Sequence, residues 1–183
     1  MPSGPLRLFV SVRPDAAVAA RMAALLPPGF PPAARPVPIP QIHLTLQFIG
    51  ETSASRVDGV VESISAAVAG LRVQRLTPQS LRLLPERGPA RLVALITDWP
   101  PPLAEARRRL AARLAHRPSN ARGDLFLPHF TLARFNPAWP TTVREWPAAM
   151  EPLDVAKVEL TRSILTSSGA VHQVVAAFAL AEA

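Results

Sequence analysis

Two short stretches of this chain, His43-Leu44-Thr45-Leu46 and His129-Phe130-Thr131-Leu132, hold the residue types that acid–base chemistry on a phosphate needs. In an extended strand successive side chains point to opposite faces, so a histidine and a threonine two apart stand side by side while the residues between them point into a core. Each tetrapeptide therefore offers one imidazole and one hydroxyl on a single face. Pro40 lies just upstream of the first copy and Pro128 directly before the second. In-line displacement at a phosphodiester needs a base on the attacking oxygen and an acid on the leaving oxygen, on opposite sides of phosphorus. Imidazole suits both tasks, because an unperturbed pKa near 6.5 lets one ring be neutral while another is protonated at the same pH. The threonine hydroxyls can hold the non-bridging oxygens and stabilise the charge that gathers there. Two imidazoles and two hydroxyls are sufficient to open a small cyclic phosphate with no metal and no cofactor.

The composition bounds what such a site can belong to. A chain of 183 residues fits one domain, or two small lobes sharing a core, and buries enough surface to fold without staples. It contains no cysteine, which excludes thiolate catalysis, a disulfide framework and cysteine-ligated metal centres. The start of the chain has no basic segment followed by an apolar run, since Arg7 and Arg13 interrupt it, so a soluble, cytoplasmic protein with no membrane span is expected. The formal charge of +7 comes almost wholly from arginine, Lys157 being the one lysine. Arginine forks match phosphate oxygens, so the charge favours nucleic acid or another polyanion as partner. A compositional bias toward Ala, Pro and Arg would produce the same excess.

The elements that must position the motifs follow from periodicity. Leu6 to Val12 alternates, with Leu6, Leu8, Val10 and Val12 on one face and Arg7, Phe9 and Ser11 on the other. Pro14-Asp15 opens a helix running to about Leu26, and the proline-rich stretch 27–40 reads as a surface connection. A first motif strand spans about Ile42 to Ile49 and stops at Gly50. Helices follow over about Ser53 to Ala69 and Leu103 to His116, the second burying Leu103, Ala106, Leu110 and Leu114. Strands are expected in 71–84 around Pro78, over Arg91 to Thr97, and over Phe126 to Phe135 for the second motif. An irregular segment with a short helix near Thr142 comes next, and a hairpin of Val155 to Ser167 and Val171 to Leu180 closes the chain. There are too few helical crossovers for a parallel sheet. The expected fold class is α+β, with two mainly antiparallel sheets flanking a cleft, helices outside, and a pseudo-two-fold relation inferred from the motifs.

Taken together, Leu6-Arg7-Leu8-Phe9-Val10, Ile42 to Glu51 and Pro128 to Arg134 resemble the two-histidine (2H) phosphoesterases, marked by paired His-x-(Thr/Ser)-x motifs. Within them the chain is similar to the bacterial RNA 2′,3′-cyclic phosphodiesterases, also called 2′-5′ RNA ligases. The resemblance covers nearly the whole chain, 1–183, as one domain of two lobes. It implies metal-independent hydrolysis of a 2′,3′-cyclic phosphate at an RNA or oligonucleotide end to a 2′-phosphate, with weak 2′-5′ joining as an associated activity, and a monomer is expected. It also implies that His43 and His129 are the acid–base pair, with His129 activating water and His43 protonating the 3′ oxygen, and that Thr45 and Thr131 bind the phosphate. Arg134 would bind phosphate or nucleotide.

The chain departs from the family pattern where an aromatic residue is usual before the first motif, an arginine before the second motif's proline, and a tyrosine early in the last strand. It has Pro36 to Pro40 before the first motif, Leu127 before Pro128, and His172 early in the last strand. Phe9 stands opposite the aliphatic face of its strand and is a candidate for stacking on a base or packing on a helix. Arg134 falls on the core-facing side of a regular strand unless a bulge intervenes, so phosphate binding competes with a structural ion pair. His116 reads as a helix C-terminal cap, and His172 as either a cleft or a hairpin-edge residue. Two other functions stay open from sequence. One is a non-catalytic module that binds RNA ends or nucleotides. The other is a metal hydrolase, for which no third ligand spacing is evident.

Overall fold

Strand β1 (Leu6–Val12) takes the range its alternation suggests. In this computed structural model, which describes residues 4–26, 34–114, 126–140, 145–167 and 169–182, the chain continues through α1 (Ala16–Ala24), β2 (Ala34–Pro36) and β3 (Leu44–Thr52). Then come α2 (Val57–Val68), β4 (Gln74–Leu76), β5 (Pro78–Leu84), β6 (Ala90–Thr97) and α3 (Pro101–Leu114). The rest is β7 (His129–Trp139), β8 (Glu145–Pro147), β9 (Leu153–Val155), β10 (Lys157–Thr166) and β11 (Gly169–Ala179). Two sheets dominate, one in the order β11, β10, β1, β3 and the other β2, β7, β6, β5, β8, with β4 and β9 forming a small third. Each of these strand pairs is antiparallel. The α+β class with antiparallel sheets is therefore observed. Each motif strand lies directly beside a central strand of its own sheet, β3 against β1 and β7 against β6.

Local chemistry explains the helices. Asp15 caps α1 by accepting a hydrogen bond from the Val18 amide at 2.7 Å, which satisfies one of the donors every helix start leaves open. α3 buries Leu103, Ala106, Leu110 and Leu114, the stripe expected from their spacing. On its outer face Glu105 accepts from both Arg108 and Arg109. α2 and α3 pack on each other, α3 reaches β3, and α2 reaches β10 and β11, so both helices brace the first sheet.

Three expectations are corrected. Gly50 does not end the first motif strand: β3 continues to Thr52, and Gly50 lies within it at φ 85°, a left-handed conformation that glycine adopts without the penalty a Cβ brings. The proline-rich connection is more than a surface link. Its last part forms β2, which pairs with β7 as an edge strand, where proline's missing N–H is tolerated. The second motif strand begins at His129 and extends to Trp139, through Pro137. His116, the 117–124 loop and the short helix near Thr142 lie outside the described residues. None of the described helices is long and apolar enough to cross a membrane.

A Cβ at position 50 would meet no atom within 4 Å, so the expected cost of Gly50→Ala is backbone strain alone. Urea unfolding should show a loss of about 1–2 kcal/mol at an unchanged m-value. No loss would mean that the left-handed turn inside β3 is not required.

Candidate active site

The two motifs are built alike to the level of single hydrogen bonds. Nδ1 of His43 lies 2.7 Å from the Gln41 carbonyl oxygen, and Nδ1 of His129 lies 2.8 Å from that of Leu127. A carbonyl oxygen can only accept, so each Nδ1 carries the hydrogen and each neutral ring keeps its lone pair on Nε2. Both rings are half-buried, as are Thr45 and Thr131, while Leu44, Leu46, Phe130 and Leu132 are buried beneath them.

Immediately after each threonine the strand carries a bulge. Ser11 pairs with Thr45 and Val10 with Gln47, leaving Leu46 as the extra residue. In the same way Ala94 pairs with Thr131 and Val93 with Ala133, leaving Leu132 extra. An extra residue shifts the alternation by one. The third side chain to emerge after the histidine and threonine is therefore Phe48 in one strand, opposite Phe9, and Arg134 in the other, opposite Leu92. Both are exposed. Regular alternation would have turned Arg134 toward the core, and the bulge at Leu132 is the reason it is not there.

Around His43 the structure places residues that the motif does not contain. Phe9 is only 4% exposed, so it does not lie open for a base as one reading of its strand face suggested. Its ring supports two imidazoles instead, with centroids 5.0 Å from His43 and 5.1 Å from His172. His172, from β11, also meets His43 edge-on at 4.8 Å. Phe48 flanks Phe9 at 6.3 Å. Arg13, just past the end of β1, donates from Nε to Glu159 at 3.1 Å and from Nη1 to the Pro40 carbonyl. Glu159 is 2% exposed and also pairs with Lys157 at 2.8 Å, so a buried carboxylate fixes the Arg13 guanidinium beside the site. Nη2 of Arg13 and Nδ1 of His172 are buried with no hydrogen-bond partner among the described residues.

These neighbours set the charge state of His43. Burial, which disfavours the imidazolium, lowers its pKa from 6.5 to about 4; the Gln41 carbonyl opposes this, and His172, Arg13 and Arg134 add to it. His172 is lowered as well, first by burial and then by Arg13 and Arg134. Arg134 belongs to β7, in the other sheet, yet its charge acts on both histidines of the first sheet. β3 and β7 also approach within 8 Å between Cα atoms. The second-motif strand thus shares a region of the molecule with the first motif.

Sequence reasoning passed over Arg13 and Phe48, and of its two readings of His172 the structure favours the one beside the first motif. Arg13 was within reach of it: carrying the Arg7, Phe9, Ser11 alternation two residues further gives Arg13. Phe48 was not, because only the pairing partner reveals a bulge.

The buried ring gives a pH-dependent expectation. Between pH 6.5 and about 4 the unfolded chain protonates His43 while the folded chain resists, so stability falls as the pH falls through that window. NMR titration of the free protein should place the His43 midpoint near 4, and His43→Gln should remove part of the acid destabilisation. A midpoint near the ordinary histidine value would contradict the burial.

No protein-family model matches the sequence, and no curated protein matches it. Solved structures do. The apo form of E. coli LigT is 26% identical with a TM-score of 0.79, and the match covers 98% of this chain and 99% of LigT. A protein described as a phosphoesterase is 24% identical with a TM-score of 0.79, over 97% of this chain and 99% of its own. TT0787 of Thermus thermophilus is 24% identical with a TM-score of 0.77, over 95% of this chain and 97% of its own. LigT has also been solved with phosphate, 3′-AMP and ATP. The chain has the fold of these proteins, and its structural neighbours are consistent with the 2H phosphoesterase superfamily that its two motifs resemble.

Proposed function

We propose that this protein is a metal-independent RNA 2′,3′-cyclic phosphodiesterase that uses His43 and His129 as its acid–base pair and leaves a 2′-phosphate. The observation that carries this reading is the matched geometry of the two motifs. Each imidazole is held through Nδ1 by the carbonyl two residues back, each stands beside a half-buried threonine, and each strand is bulged at the following leucine. With the cyclic phosphate between the two faces, one Nε2 takes the proton of an attacking water as its oxygen bonds to phosphorus. The bond from phosphorus to the 3′ oxygen breaks, and the other ring supplies the proton that oxygen needs. Thr45 and Thr131 donate to the non-bridging oxygens, and Arg134 and Arg13 offset the charge that builds on them.

The field around His43 adds a condition to this scheme. With a pKa lowered to about 4, His43 is neutral in the free protein at neutral pH, which suits a base. The family resemblance gives it the acid's task. It can act as acid once a phosphate anion seated between the rings offsets Arg13 and Arg134 and raises its affinity for a proton. LigT, solved with phosphate and with adenine nucleotides, supports a phosphate-bearing nucleotide end as the ligand class. RNA with a 2′,3′-cyclic phosphate end is the proposed partner, and weak 2′-5′ joining would be the same displacement with a 5′-hydroxyl attacking in place of water, again releasing the 3′ oxygen. Action as a cytoplasmic monomer with one two-lobed domain over 1–183 is part of the same proposal.

With a chelator present, RNA ending in a 2′,3′-cyclic phosphate should be converted to the 2′-phosphate at full rate. His43→Ala and His129→Ala should each lower kcat by about 10²–10⁴-fold. Thr45→Ala and Thr131→Ala should each lower it by about 10²-fold, the scale of losing one donor to a developing anion. A 3′-phosphate product, inhibition by chelator, or either histidine variant retaining full turnover would refute the assignment. The dependence of kcat on pH should be bell-shaped in the wild type and lose one limb in each histidine variant.

A further inference from the structure

Phe48 is 72% exposed, although the residues on either side of it in the pattern, Leu46 and Ile49, are buried. A single exposed apolar side chain needs no explanation. What needs one is its placement. Register shifts at Leu46 and Ile49 bracket Phe48 in the pairing with β1, and left-handed Gly50 follows. These irregularities hold the ring on the side where Phe9 supports His43, with the Phe48 and Phe9 centroids 6.3 Å apart.

The likeness between the two motifs identifies what this position is for. Phe48 and Arg134 are the same structural position in the two strands, each the first side chain to return to the histidine–threonine face after the bulge. One offers a flat apolar ring and the other a cation. A ligand that satisfies both carries an anionic group and a planar apolar ring, as a nucleotide does. We propose that Phe48 is the platform on which the nucleobase next to the scissile phosphate stacks, with Phe9 packed behind it. This rests on the reading of the site as a cyclic phosphodiesterase and adds which side chain recognises the base. Phe9, at 4% exposure, is closed to that task. Phe48 packs beside Phe9 with most of its ring exposed, and every base has a π-face, so the platform selects for a base over a bare phosphate without reading sequence.

The test measures binding without turnover. Calorimetric titrations of adenosine 3′-phosphate and of inorganic phosphate are compared for wild type, Phe48→Ala, Phe48→Leu and Phe48→Trp. Phe48→Ala should weaken the nucleotide about tenfold and leave phosphate unchanged. Phe48→Leu, which keeps apolar bulk without a flat face, should lose nearly as much, and Phe48→Trp should restore or tighten binding. Thermal melts of all four proteins should coincide, because the side chain is exposed. Equal weakening of phosphate and nucleotide, an unaffected nucleotide, or a wild type that holds nucleotide no more tightly than phosphate would each overturn the platform. A protein that shows the discrimination yet hydrolyses no cyclic phosphate would instead refute the proposed function and leave the platform standing.

Discussion

Because a carbonyl oxygen accepts and never donates, the hydrogen bonds to Gln41 and Leu127 decide which nitrogen of each histidine carries the hydrogen and which keeps a lone pair. That constraint fixes Nδ1 as the protonated atom, restrains rotation of each ring about its bond to the chain, and leaves the lone pair of the neutral ring on Nε2 in both motifs. The carbonyls lie two residues back in the chain, so the arrangement depends on backbone that enters each strand in a defined path. Pro40 and the short helical turn at Ile39–Gln41 shape that path before His43, and Pro128, which is buried, shapes it before His129. Without this restraint a histidine at the start of a strand would sample several rotamers.

The surroundings of the two rings differ where their backbones agree. His43 is packed by Phe9 and His172 and faces Arg13, whose guanidinium is tied to the buried Glu159. A carboxylate removed from water is costly unless its oxygens are paired, and here Arg13 and Lys157 take one oxygen each. The buried carboxylate thus keeps Arg13 in place. The result is a neutral imidazole in a positive field, a setting that attracts anions and that an anion then changes. Phe9 is buried and at the same time packs against both His43 and His172.

Much of this was legible in the sequence wherever the information is local. The alternation of Leu6 to Val12, the Asp15 cap and the stripe of Leu103, Ala106, Leu110 and Leu114 are properties of a strand or helix taken alone, and each stands where its pattern put it. What could not be read depends on a partner strand. The bulges at Leu46 and Leu132 exist only as a mismatch with β1 and β6, so strand alternation alone assigns the side chains they redirect, Phe48 and Arg134, to no face or to the wrong one. Gly50 misleads for a related reason, since a glycine between apolar residues signals a strand end or a bulge equally well until the neighbouring strand is known. The edge strand β2 was concealed by prolines that an interior strand would not accept.

The central claim is that two imidazoles from different sheets act on one phosphorus atom from opposite sides. A crystal structure of the protein with a nucleoside 2′-phosphate, the expected product, measures this directly. The account predicts Nε2 of His43 and Nε2 of His129 each within about 3.2 Å of a phosphate oxygen, on opposite sides of phosphorus, with both Nδ1 atoms still on their carbonyls. A phosphate held elsewhere, or contacted by one ring while the other is turned away, would contradict it.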